Sequence, residues 1–471
     1  EVCIAAATCL QLDLEVYLPV VRVGVGGACA QSAIDQDGSN RLIIWNGMIS
    51  GMDAQQIMAA LLAVGGQLHH QYGIVTVEGE PVTFSGVNVN QAWYGVARTI
   101  DDISYAIQGN VLTGVQVVTN AEDAFLTTQG DLSQKVMAAM EGARVFGGDG
   151  RCSCDPIFPT SCGCPPPPFM YADSTAFLIV ARMGDQDGTC DATVGCGTGS
   201  YFADLNYVDP GGGAPDPVIV IAGQYAAFRA AHAGIADQLR TRVLPSAGRL
   251  PADGISQTSV DVELRDIDGN LVTGNPATLS IADVSVGGPV ANVGAVQVLS
   301  PGRFRFPLTS TTQTGEGRFR ITAQHASTSV LLWPELVVEV AAPTELFCGF
   351  AHVSATNGAN VPLSLDLGPG HGGSSYLILA SASGTTPGTP FAGVQLPLNL
   401  DFILRTSYAS AGTGHFLGTI GSLDASGRGA GRFVARGNWL YPLVGRHFDW
   451  SAVIYGTPNH ATPTDGFDIV P

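Results

Sequence analysis

The sequence predicts a multidomain chain: an N-terminal part that mixes strands and helices, followed by two all-β modules. Three observations carry that reading. Gly 60 and Pro 28 together approach a fifth of the 471 residues while 45% are hydrophobic, so the chain is rich in turns yet able to bury a core. Helical periodicity with capping residues recurs up to about residue 240 and vanishes after RVLPSAGRLPADG. Beyond that point, apolar and polar residues alternate in short runs separated by Gly and Pro. At this length there is room for two to four domains, each with its own core.

In the first part, residues 1–242, the strand candidates are EVCIAAATC (1–9), VVRVGVGGACAQS (20–32), YGIVTVEG (72–79), PVTFSGV (81–87), SYAIQG (104–109), TAFLIVAR (175–182) and YFADLNYV (201–208). Helices lie between them. MDAQQIMAALLAVGG has Asp53 as N-cap, Ile57, Met58, Leu61 and Leu62 on one face, and Gly65–Gly66 as its stop. GDLSQKVMAAMEGARVFGG opens on Asp131 with Gln134 three residues on, a capping box, and ends at Gly147–Gly148. A third helix starts at Pro217 and runs to about Arg240.

Residues 243–342 read as an immunoglobulin-like sandwich. SVDVELRDIDGNLVTG alternates around the turn Asp268-Gly269-Asn270, and GRFRFPLTS and GRFRITAQH continue the pattern. Residues 343–471 read as a second β module, with SSYLILASASG, FILRTSYAS, HFLGTIGSLDASGRGAGRFVA and FDWSAVIYG as its strands.

Charge and cysteine content bound the setting. A net charge of −19, with Lys135 the only lysine, argues against nucleic acid or an anionic membrane as partner. No apolar run reaches the roughly 18 residues that a membrane-spanning helix needs. Cys152, Cys154, Cys162 and Cys164 fall within thirteen residues, and Cys190 and Cys196 follow. The C-x-C pairs are spaced too tightly for the usual zinc chelate, so disulfides in an oxidising compartment are the preferred reading over metal, with Cys190–Cys196 the natural local pair. If 1–9 and 20–32 pair antiparallel, Cys3 falls near Cys29.

Three resemblances extend this reading. QYGIVTVEGEPVTFSG, SYAIQGNVLTG and GARVFGGDGR, in that order with helices between, resemble the uncharacterised bacterial DUF1028 family, over roughly residues 1–240. The resemblance implies an Ntn-hydrolase-like sandwich, four layers in the order α/β/β/α. The segment LPADGISQTSVDVELRDIDGNLVTG is similar to invasin-type bacterial Ig-like domains, and GTTPGTPFAGVQLPLNLDF with GSLDASGRG looks like a β module that closes many secreted bacterial proteins. Together they imply an extracellular or cell-surface setting in a bacterium. Family members start one strand earlier; Glu1 aligns with the glutamate of a Thr-Gly-Glu turn, so 1–9 corresponds to their second strand. The place of the first strand is then expected to be filled by a cleaved segment of the precursor or by a strand from a neighbouring copy, giving a homo-oligomer or filament.

Ntn hydrolases attack with the hydroxyl or thiol of a terminal Thr, Ser or Cys, and Glu1 supplies neither. Cys3 is the nearest thiol. Asn110 in QGNVLTG and Asp149 in FGGDG are the candidate catalytic or substrate-orienting residues, each with a turn-bracing alternative. His69–His70 follow a helix stop and read as loop residues. Asp185, Asp187 and Asp191 alternate in a calcium-like way but lack the closing bidentate Glu. No cofactor is expected beyond that weak calcium site. Two functions follow: a non-catalytic extracellular structural or adhesive protein whose β modules meet a surface or glycan partner, or a secreted amide-bond hydrolase acting on peptide or cell-wall substrates.

Overall fold

The computed structural model describes residues 1–32, 35–89, 92–211, 215–274, 277–326 and 328–471. The chain forms two compact units, Glu1–Ala231 and His232–Pro471.

The first unit opens with β1 (Val2–Thr8), a short helix α1 (Leu14–Tyr17), and a hairpin of β2 (Pro19–Arg22) and β3 (Gly26–Gln31). Helices α2 (Ser39–Ile49) and α3 (Ala54–Val64) precede β4 (Gln71–Thr76) and β5 (Val82–Ser85). A second hairpin, β6 (Tyr94–Ile100) and β7 (Ile103–Gly109), leads into α4 (Gln116–Thr127), α5 (Leu132–Val145) and the single turn α6 (Gly150–Ser153). Strands β8 (Thr175–Ala181) and β9 (Ala203–Val208) and helix α7 (Pro217–His232) follow. The capping boxes at Asp53/Gln56 and Asp131/Gln134 both form, and α3 stops at Gly65 with φ +82°.

Strand periodicity sorts the side chains into layers. The sheet β1–β8–β9 turns Cys3, Ala5, Ala7, Ala176, Leu178 and Val180 toward α5 and α7, against Met137, Met140, Val218 and Ile221. Its opposite face, with Ile4, Phe177 and Ile179, packs on Val21, Val23 and Cys29 of the sheet β2–β3–β4–β5. That second sheet buries Val20, Ala28, Ala30, Tyr72 and Ile74 against Ile44, Trp45, Met48, Ile57 and Leu61 of α2 and α3. The order is helices, sheet, sheet, helices.

Three expectations for this unit are corrected. The run 20–32 is a hairpin, because Gly24 takes φ +71° and folds β2 onto β3 with Pro19 opposite Cys29. Strand β1 pairs with β8, from Val2 opposite Ala181 to Thr8 opposite Thr175, and not with 20–32. Cys3 and Cys29 therefore lie on different sheets and face different layers, and both are free thiols. Helix α7 stops at His232, short of Arg240, and Gly234 turns the chain with φ +72°.

The second unit contains two β-sandwich cores. In the first, a sheet ordered 242–245, 257–263, 303–310, 291–293 faces one ordered 249–251, 329–341, 315–324, 278–283. Alternate residues Val260, Val262, Phe304, Phe306 and Leu308 meet Phe319, Ile321, Val338 and Val340 between them. In the second, Phe416, Phe433, Phe448, Trp450 and Phe467 form an aromatic centre between sheets built on 359–366 with 428–435 and on 375–381 with 447–455. The expected strand FILRTSYAS is instead a helix, Phe402–Ala409: Asp401 caps it by accepting from the Leu404 N–H at 2.6 Å, and Ile403, Leu404 and Ser407 share its buried face.

Candidate functional site

A cavity of about 920 Å³ lies within the first unit. One wall is β1 and the other is β7; α4 and α5 supply Ala121, Phe125, Val136, Ala139 and Met140, and β3 and β4 supply Gly26, Gly27, Cys29 and Gly73. The hairpin β6–β7 is held over the second sheet by Gln71, which is fully buried on β4. Its amide donates to Ser85 Oγ at 2.9 Å, the Gly109 carbonyl at 3.1 Å and the Tyr94 carbonyl at 3.2 Å. Thr83 Oγ1 adds a bond to Gln108 Oε1 at 3.2 Å.

Both expected catalytic candidates line this cavity, at one end of it. Asp149 is 5% exposed and does two jobs. It caps α6 by accepting from the Arg151 N–H at 3.1 Å, and it anchors the end of β1 by accepting from Thr8 Oγ1 at 3.1 Å and the Cys9 N–H at 3.0 Å. Arg151 closes over the same carboxylate, with Nε at 2.9 Å, and reaches Thr8 Oγ1 at 3.2 Å. Asn110 accepts from Gln31 Nε2 at 3.5 Å, and the same Gln31 amide donates to Gln71 Oε1 at 2.7 Å. Asp173 also borders this end; burial, then Asp149 and Asp216 nearby, push its carboxyl well above the usual range.

Two free thiols, Cys3 and Cys29, lie on the cavity wall. Burial, reinforced by Glu1, pushes the Cys3 thiol well up, and burial pushes Cys29 up to about 12. Both are protonated at neutral pH, whereas a nucleophilic cysteine needs its thiolate.

Three disulfides form: Cys9–Cys152, Cys154–Cys162 and Cys190–Cys196. Cys164, placed among the disulfide candidates, is free, as are Cys3 and Cys29; its sulfur accepts from Thr113 Oγ1 at 3.4 Å. The partner of Cys152 is Cys9, which the strand pattern gave no reason to choose: the two are 143 residues apart and meet because Asp149 draws the end of β1 to α6.

The calcium candidates are separated by their roles. Asp185 accepts from the Arg182 and Phe202 N–H groups, both at 2.8 Å. Asp187 binds Arg22 at 2.7 Å and the Val23 N–H at 2.9 Å, and Asp191 turns its own loop through the Thr193 N–H at 2.7 Å. Among the described residues no three His, Cys, Asp or Glu side chains gather as a metal site. His70 Nδ1 donates to the Ser32 carbonyl, 3.1 Å away, as a loop residue would. Thr8, Gln31, Gln71, Arg151 and Asp173 were not singled out from sequence. The available signal was Gln71, a polar residue that opens an apolar strand and is buried.

Among the described residues no helix is long and apolar enough to cross a membrane. No curated protein matches the chain. A DUF1028 protein from Silicibacter pomeroyi is similar at 13% identity over 47% of this chain and 81% of that one, with TM-score 0.33. The Yersinia pseudotuberculosis adhesin InvE is similar at 13% identity over 50% of this chain, with TM-score 0.20, and the match spans 60% of InvE's length. Invasin, a bacterial integrin-binding protein, is similar at 12% identity over 63% of this chain and 56% of that one, with TM-score 0.20. Residues 2–154, which hold β1 through Asp149 and the whole of the hairpin wall, match the family of unknown function DUF1028.

Proposed function

We propose that this chain is a non-catalytic extracellular protein, structural or adhesive, and a subunit of a larger assembly. The observation that carries this reading is the state of the groups around the cavity. Asp149 is occupied by two backbone N–H groups, Thr8 and Arg151, and the Cys3 and Cys29 thiols are held protonated. None of these pairs an attacking group with a base that is free to take its proton. Three disulfides support an oxidising compartment, and the two β-sandwich cores of the second unit support surfaces that meet a receptor or glycan. The helix–sheet–sheet–helix layering supports an Ntn-hydrolase-type sandwich for the first unit; a shared fold alone does not bring activity.

A second reading is favoured by Asn110 and Asp149 both lining the cavity. It is an amide-bond hydrolase whose nucleophile enters on an additional strand. Incubation of the full chain with amide substrates and with an electrophilic trap for hydroxyl and thiol nucleophiles separates the two. No turnover and no adduct is the expected result; a covalent adduct on Cys3, Thr8 or any serine overturns the non-catalytic reading.

A further inference from the structure

We propose that the outward face of the helix Phe402–Ala409 binds an acidic polysaccharide, with Phe402 and Tyr408 stacking on sugar rings and Arg405 pairing with a uronate carboxylate between them. This deepens the adhesive reading of the chain and rests on it.

Placement of the helix is the first ground. Leu404 seats it on Leu377, Leu379 and Val453, on the outer side of the sheet built on 375–381 and 447–455. Asp401 fixes its start: besides the Leu404 N–H, its carboxylate accepts from the Ala382 N–H at 2.7 Å and from Ser381 Oγ at 3.1 Å. Ile403, Leu404 and Ser407 turn inward, which leaves Phe402, Arg405 and Tyr408 on the outer side. Phe402 is 74% exposed and Tyr408 57%. Three residues separate each from the next, so each step moves about 4.5 Å along the helix and about 60° around it. Arg405 therefore stands midway between the two rings.

The rings are held as well as exposed. Tyr408 meets Phe391, from the hairpin of 389–391 with 394–396, at 5.6 Å between centroids and 76° between planes. Tyr455 lies beside it, and burial, then Tyr408, push the Tyr455 phenol up. These contacts orient the Tyr408 ring without covering it.

The polar groups state the chemistry of the occupant. Asp401, the carboxylate that opens the helix, is spent on the fold, and Arg405 is a donor with no acceptor of its own. Arg428 of the same module pairs with Asp366 at 3.0 Å, whereas among the described residues no carboxylate pairs with Arg405. A sugar ring lays its C–H face on an aromatic side chain, and a neutral sugar would leave the guanidinium without an ion-pair partner. A uronate carboxylate matches the guanidinium fork. The acidity of the chain does not oppose this, because 23 of its 40 Asp and Glu fall in residues 1–231, and residues 343–471 hold seven beside five arginines. A helix face has no strand edge to lend, so an extended acidic peptide gains no backbone bonds here.

The test titrates the full chain by calorimetry with oligomers of galacturonate, glucuronate and mannuronate, and with each oligomer methyl-esterified. At least one acid form binds, and its ester binds about tenfold more weakly, since the charge-assisted pair is lost. Arg405→Gln and Phe402→Ala each weaken binding about tenfold at an unchanged melting temperature, because both side chains are exposed. No binding by any acid form, equal affinity for acid and ester, or full affinity in both variants overturns the site. Tighter binding of a polyglutamate peptide also overturns it and gives the face to an acidic protein. Uronate binding by a chain that turns over amide substrates overturns the non-catalytic reading and leaves the site standing; neither binding nor turnover removes the site and leaves that reading.

Discussion

The Cys9–Cys152 bridge closes a loop with a sequence separation of 143, against 8 for Cys154–Cys162. Chain entropy of the unfolded state then assigns roughly 5 kcal/mol to the first and roughly 2.5 kcal/mol to the second, so their removal should differ by about 2.5 kcal/mol. The double variants Cys9→Ser with Cys152→Ser, and Cys154→Ser with Cys162→Ser, isolate the two. Strand β8 is buried along its whole length, so its slowest amides exchange only when the first unit opens as a whole. Hydrogen exchange of β8 read by mass spectrometry gives the opening free energy in each variant. The long-loop variant is expected to lose the larger amount, with exchange of β1 accelerated alongside β8. Equal losses in the two variants, or a long-loop loss below about 1 kcal/mol, would refute the entropic reasoning and mean that the unfolded chain already keeps β1 near α6.

Other expectations follow from single contacts. Asp149→Ala strips acceptors from the Thr8 hydroxyl, the Cys9 N–H and the half-buried Arg151, and should cost about 3 kcal/mol by the same exchange measurement. Asp53→Ala removes one half of the capping box and should cost about 1 kcal/mol, seen as faster exchange at the start of α3. Glu15 is raised to about 7 by burial, then by Asp204 and Asp13. Its folded pKa lies above the unfolded one, so its contribution is full below the ordinary carboxylate range and is lost as pH rises through about 7; Glu15→Gln should flatten that fall in a pH series of melting temperatures.

What was legible in the sequence was local or periodic. Asp53 with Gln56, and Asp131 with Gln134, place a cap and its reciprocal side chain within one turn, so a short stretch of sequence suffices. The short apolar runs VCIAAAT and TAFLIVA placed two strands whose faces divide between helices and sheet. The helices that escaped notice bury polar residues. α2 hides Asn40 and Arg41, with Arg41 against Asp35, and α4 turns Glu122 inward to accept from Tyr105 Oη at 2.7 Å. A buried polar side chain with a satisfied partner breaks the apolar stripe by which a helix is recognised. In FILRTSYAS the error ran the other way: Ile, Leu and Tyr suit a strand, but Asp401 caps the segment into a helix.

The cavity shows a deeper limit. Side-chain alternation encodes the two faces of a strand, since those differ from residue to residue. Its two edges are made of backbone N–H and C=O, the same for nearly every sequence, so which strands become neighbours is not written in the pattern. That is why 1–9 could be read as a strand and yet be given the wrong partner. Long-range polar contacts settle the matter in the fold: Thr8 and Asp149 are 141 residues apart, and their bond, with Ser174 N donating to the Thr8 carbonyl at 2.7 Å, fixes β1 beside β8. An Asp after two glycines announces a cap for α6, and that much is local. Its grip on the end of β1 is a second use of the same carboxylate, and it depends on a strand that only the folded chain brings there.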